Sequence, residues 1–132
     1  MKFKKPNFIA DNTEDAKNSL NSITEKYELF SLSEADIIVV LGGDGFMLDI
    51  LKKYQNLRLP FYGINQGTVG FLMNQKQDEN LLNKLNEAEE TVIHPLKMHA
   101  EKLDGTLEEY LAVNEISILR SGSQAAKLKI IV

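Results

Sequence analysis

The stretch Asp36-Ile37-Ile38-Val39-Val40-Leu41-Gly42-Gly43-Asp44-Gly45-Phe46 decides the fold of this chain. Its apolar run, Ile37 to Leu41, is β-branched except for the leucine. A short run of that kind, with no polar alternation, predicts a strand buried on both faces, as in a parallel sheet. The run ends in Gly42-Gly43-Asp44-Gly45. Beyond it, Met47, Ile50, Leu51 and Tyr54 recur at helical spacing and predict a helix over 46–54. The order is buried strand, glycine turn, helix. In parallel α/β sheets that turn lies at the carboxyl edge, where ligands bind. Glycines let backbone N–H groups approach a ligand closely, and the helix N-terminus favours an anion. Gly42, Gly43 and Gly45 are therefore the candidate phosphate loop.

Asp44 does not fit a loop built only to hold phosphate, which would carry Lys or Arg. A carboxylate there repels phosphate unless a cation lies between them or a proton is being moved. The positive end of a helix favours its negative charge. Asp44 therefore suits a general base, or a group that orients a hydroxyl towards a phosphoryl group. The plainer alternative is that Asp44 caps the helix and the glycines only make a turn.

Around this stretch the chain is ordinary. Its 132 residues suit one domain with the edge of another. Hydrophobic residues make up 43% and charged residues 26%, enough for a real core. The net charge of −4, with no Lys/Arg block beyond Lys4-Lys5, argues against a nucleic-acid surface. The absence of cysteine excludes disulfides, thiol catalysis and cysteine-bound metal. No apolar run approaches the ~20 residues of a membrane span. The basic start, Met1 to Asn7, lacks a signal peptide's apolar stretch. These features lead us to expect a soluble, cytoplasmic protein that uses neither nucleic acid nor membrane.

Taken in order, Phe8-Ile9-Ala10 predicts a first strand, and Asp11, Asn12 and Thr13 offer helix N-caps. Ala16, Leu20, Ile23 and Tyr27 then mark one face of an amphipathic helix. Leu29 to Leu32 suggests a short strand. After the glycine loop and its helix, Pro60 to Ile64 predicts the next strand. Alternating strands and helices imply right-handed βαβ units and a parallel sheet. The second glycine-rich stretch, Gly63 to Met73, falls at the end of that strand. Two such loops side by side make a crevice. A third helix is expected over Asp78 to Glu90. From Leu96 to Leu103 the pattern nearly alternates, and Asp104-Gly105 is a hairpin turn signal. Leu107 to Arg120 should return as the partner strand, and Ala126 to Val132 should begin another. We expect an α/β domain over 1–95, then the start of an all-β second domain over 96–132. Asn114-Glu115 interrupts the apolar return strand, as a bulge or wet-face pair or as a binding pair. His94 and His99 share no helix face and no spaced carboxylate partner, so both read as surface or strand residues. No metal-ligating set is expected.

These motifs carry a resemblance. Gly42-Gly43-Asp44-Gly45 is similar to the GGDG signature of a kinase superfamily that includes NAD kinases, diacylglycerol-type lipid kinases and 6-phosphofructokinases. Gly63-Ile64-Asn65-Gln66-Gly67-Thr68-Val69-Gly70-Phe71-Leu72 resembles the GIN-x-G-x-x-GFL segment of the NAD kinases in particular. The P-x-GT-x-ND segment of the lipid kinases is missing, as is the aspartate-rich stretch of phosphofructokinases. Leu111-Ala112-Val113-Asn114-Glu115-Ile116 resembles the NAD kinases' Asn-Glu segment. The resemblance runs from about Phe8 to the end.

The resemblance implies a parallel-sheet nucleotide-binding domain. It also implies transfer of the ATP γ-phosphoryl group to the 2′-hydroxyl of the adenosine ribose of NAD, giving NADP, with Mg²⁺. Asp44 would accept the proton from that hydroxyl. Gly45 and Phe71 would line the dinucleotide site, and Asn114 and Glu115 would hold the ribose and nicotinamide part of NAD. The family's second domain carries a further glycine- and Ser/Thr-rich motif that this sequence does not reach, so the chain reads as a fragment or a truncated product. At full length the resemblance implies a homo-oligomer. Two alternatives stand beside it: another GGDG kinase, of lipid type, and a non-catalytic NAD-binding module.

Overall fold

A computed structural model describes residues 2–67, 70–76, 80–125 and 127–131. It divides into two compact units, Met1–Thr91 and Val92–Val132. In the first, β1 (Pro6–Ala10), β2 (Ile37–Gly42) and β3 (Phe61–Asn65) form a parallel sheet in the order β1-β2-β3. The helices are α1 (Glu14–Thr24), α2 (Asp44–Tyr54) and α3 (Leu81–Glu87), with a 3₁₀ turn, Gln55–Leu57, after α2. Every residue of β2 is buried, as its unbroken apolar run requires.

The pleat of β2 sends its side chains alternately to two cores. Ile37, Val39 and Leu41 join Ala16 of α1 and Leu81 and Leu85 of α3, with Leu20, Ile23, Tyr27 and Tyr62 packed around them. Burial there pushes the Tyr62 phenol above its ordinary value. Ile38 and Val40 join Met47 and Ile50 of α2. One strand thus carries both layers, and this determines where the loop after it must emerge. Thr13 is the N-cap of α1, and its hydroxyl accepts from Ala16 N at 3.3 Å.

Several expected elements differ. Leu29 to Leu32 is not a strand. Asn7 Nδ2 donates to Phe30 O at 2.7 Å, a side-chain bond where a ladder would need the backbone. Ser31 N bonds Glu34 at 3.3 Å and turns the chain. The third helix is described only over Leu81–Glu87, because Ala88 is already extended at φ −65, ψ 139. Asp78 and Glu79 lie outside the described residues.

In the second unit, β4 (Leu96–Glu101) and β5 (Leu107–Ala112) form one antiparallel hairpin. Gly105 makes its turn with φ +80, a conformation that glycine adopts without strain. Lys97 Nζ and His99 Nδ1 pair with Glu109 across the strands at 3.0 and 2.8 Å. The return strand stops at Ala112, well short of Arg120. Ala112 is opposite Leu96, and the residue before Leu96 is Pro95, which has no N–H to extend the ladder. Residues 127–131 are not in a strand. Among the described residues this unit contains one hairpin, and a larger all-β domain is not shown.

Candidate active site

The three strands of the sheet end level with one another. Gly42 is opposite Asn65 in the register, and Asp11 N donates to Leu41 O at 2.9 Å, just beyond β1. Gln66 N donates to Gly42 O at 3.0 Å, so the loop after β3 is tied to the glycine loop after β2. Between these ends lies a cleft of about 300 Å³. Asp11 and Thr13 line it from the first loop, Gly42, Gly43 and Asp44 from the second, and Asn65, Gln66, Gly67 and Gly70 from the third. Thr13 and Gly43 are the N-caps of α1 and α2, so two positive helix ends meet there.

Asp44 is the first residue of α2, but it does not serve as a cap. The N-cap is Gly43, in extended backbone with no side-chain cap bond. The Asp44 carboxylate instead accepts from Phe71 N at 2.7 Å (Oδ2) and from Leu72 N at 3.1 Å (Oδ1). The acid of the first glycine loop thus fastens the second. Gly70 makes room for this. A Cβ there would run into Oδ1 and lie 2.8 Å from Asp44 Cγ. Gly42 is also closely packed, since a Cβ would lie 2.8 Å from the Phe46 ring. Gly43, Gly45 and Gly67 differ: an added Cβ meets nothing within 4 Å. None of these three has positive φ. Among the described residues, therefore, neither packing nor backbone conformation requires glycine at these three positions.

The cleft brings Gly42, Gly43 and Asp44 together, with the Phe71 backbone bound to the carboxylate. The Phe71 ring is fully exposed, and Gly45 is exposed. Asn114 and Glu115 belong to the second unit. They are exposed, Asn114 in the bend after β5 and Glu115 just beyond it, so they do not interrupt a strand as the sequence led us to expect. Sequence reading missed Asp11, Thr13 and Gln66 as cleft residues. Asp11 and Thr13 had been read only as caps, although a loop after a parallel strand also opens at the carboxyl edge.

No group of three or more His, Asp or Glu that could hold a metal occurs among the described residues. Asp11 and Asp44 put two carboxylates in one cleft. That set fits Mg²⁺, which takes one or two carboxylates together with substrate phosphates and does not need a full protein cage.

The first unit is therefore a parallel three-stranded α/β domain with helices on both faces of the sheet and a glycine-lined crevice at its carboxyl edge. Its sequence over residues 3–93 matches the family described as ATP-NAD kinase N-terminal domain. The chain belongs to the ATP-NAD kinase family. It is 49% identical over 123 residues to an NAD kinase of Cereibacter sphaeroides, covering 93% of this chain and 48% of that protein. It is 41% identical over 132 residues to an NAD kinase of Zymomonas mobilis, covering 98% and 51%. An NAD kinase of Brucella suis is 42% identical over 123 residues, with 93% and 48% covered. The chain spans about half the length of the curated relatives it matches. Among the described residues, no helix is long and apolar enough to cross a membrane.

Proposed function

We propose that this chain contributes the phosphoryl-acceptor half of an NAD kinase, which transfers the ATP γ-phosphoryl group to the 2′-hydroxyl of the adenosine ribose of NAD. The observation that carries this is the Asp44 carboxylate, held by two backbone N–H groups at a cleft where two helix N-termini meet. Each carboxylate oxygen has two lone-pair sites, so both can still accept a further hydrogen bond. The ribose hydroxyl would donate to Asp44. As its oxygen bonds to the γ-phosphorus and the bond to the β-phosphate oxygen breaks, the proton passes to the carboxylate and ADP leaves. Asp11 and Asp44 would hold Mg²⁺ together with the phosphates, and the ion would supply positive charge against the phosphate oxygens. The open space over Gly43 and Gly45 supports close approach of a ligand, since neither packing nor φ explains glycine there.

Asn114 and Glu115, in this reading, hold NAD, and Gly45 and Phe71 line its site. The β4–β5 hairpin would begin a β-rich second domain. We expect Asn114→Ala to weaken NAD binding by about 0.5–1.5 kcal/mol, the worth of one hydrogen bond, with little change in melting temperature. Unchanged affinity with a large drop in stability would return the pair to a structural role.

The overall test is NADP formation from ATP, Mg²⁺ and NAD, with diacylglycerol as the competing acceptor. The kinase reading expects NAD to be phosphorylated and diacylglycerol to be left alone. Because the chain covers half the length of its relatives, NAD binding without turnover is the second reading. A 132-residue polypeptide that binds NAD yet forms no NADP would favour it.

A further inference from the structure

One group at the cleft has no role in the proposed reaction or in the packing. Gln66 lines the cleft, and its backbone N–H is tied to Gly42 O at 3.0 Å. Both amide atoms of its side chain, Nε2 and Oε1, are buried without a hydrogen-bond partner among the described residues. Exchanging the two atoms leaves the situation unchanged, because neither is paired. A buried amide with no partner is destabilising, and such groups are rare in folded proteins. A methionine of similar length would pack there without that penalty.

We propose that Gln66 is a specificity residue whose amide turns into the cleft and hydrogen-bonds the adenosine part of the bound nucleotide. This rests on the kinase reading above. The chemistry of the amide selects the partner: it offers one donor side and one acceptor side, so its full complement presents both. A phosphate only accepts and would leave Oε1 unpaired. Two parts of adenosine qualify. One is the ribose diol, whose 3′-hydroxyl adjoins the hydroxyl assigned to Asp44. The other is the adenine edge, where the exocyclic amine donates and a ring nitrogen accepts, a pairing Gln makes elsewhere.

The test compares the wild-type chain with Gln66→Met. The variant should melt at or above the wild-type temperature, since it removes an unpaired buried amide. It should bind adenosine about fivefold more weakly for one lost hydrogen bond, and about thirtyfold for two. Affinity for inorganic phosphate should not change. Two analogues locate the contact. If Gln66 reads the diol, the difference between wild type and variant vanishes with 3′-deoxyadenosine. If it reads the base edge, the difference vanishes with purine riboside, which lacks the exocyclic amine. Gln66→Leu, a second apolar replacement, should weaken adenosine binding by the same factor, which guards against a misfolded methionine variant. Equal adenosine affinity in wild type and both variants overturns the proposal. So does a lowered melting temperature with equal losses for all three nucleosides. If wild type binds NAD while the variants match it, only the role of Gln66 falls. If wild type binds neither NAD nor adenosine, the kinase reading falls and takes this proposal with it.

Discussion

Asp44→Asn is expected to slow NAD phosphorylation by about 10²-fold or more in a form of the protein that turns over NAD, the loss typical of removing a general base. Sequence alone would present this substitution as a clean removal of the base. The structure predicts a second effect. Asp44 accepts from both Phe71 N and Leu72 N, at 2.7 and 3.1 Å. An asparagine offers one carbonyl oxygen and turns an NH₂ towards the other N–H. One charge-assisted bond is lost and two donors face each other. The expected destabilisation is about 1.5–3 kcal/mol, within the range for hydrogen bonds to charged groups. The two effects separate in one experiment. Denaturant melts give the stability, and turnover at saturating NAD, well below the melting temperature, reports on folded enzyme alone. Near-wild-type turnover of a folded Asp44→Asn protein would sink the assignment of Asp44 to the chemistry.

Gly70→Ala should produce the second large effect, through Asp44. The added methyl would occupy the place of the carboxylate, 2.8 Å from Cγ and closer still to Oδ1. Either the loop or the carboxylate must move. Overpacking of this kind destabilises by about 1–3 kcal/mol. A displacement near 1 Å at a reacting group can lower turnover by about 10²-fold, so a loss of about 10- to 100-fold is expected. Gly67→Ala is the control, because an added Cβ there meets nothing within 4 Å. Its stability should stay within about 0.5 kcal/mol of wild type. A double-mutant cycle completes the argument. With Asp44→Ala in the background, Gly70→Ala meets no carboxylate, so its destabilisation should largely disappear. An undiminished penalty in that background would mean that Gly70 is needed for a reason other than Asp44.

What was legible in the sequence was local. The run Ile37 to Leu41 is apolar without interruption, and a strand buried on both faces follows from that alone. Gly42 to Gly45 read as a turn before a helix, and helical spacing from Met47 to Tyr54 indicated that helix, but α2 already starts at Asp44, so only Gly43 lies between strand and helix. The motifs Gly42-Gly43-Asp44-Gly45 and Gly63 to Leu72 indicated the family, because side-chain identity at fixed spacing is a property of the chain itself. The limits of elements away from that centre were less legible. The return strand after Asp104-Gly105 ends where its partner ends, at the level of Pro95, and pairing is not written in either strand alone.

The work of the candidate site was decided by tertiary structure. Asp44 looked like a cap or a base, and no local signal shows that it fastens a loop 27 and 28 residues further along. That contact exists because β2 and β3 are hydrogen-bonded neighbours, which brings the loops after them to one edge of the sheet. The same adjacency gives Gly70 its reason to be glycine, the pairing of β1 with β2 brings Asp11 and Thr13 into the cleft, and the Gln66 amide is left buried without a partner among the described residues. A residue's type and its near neighbours show which element it joins. Its partners across the sheet depend on strand order and register, and long-range pairing sets these only once the chain has folded.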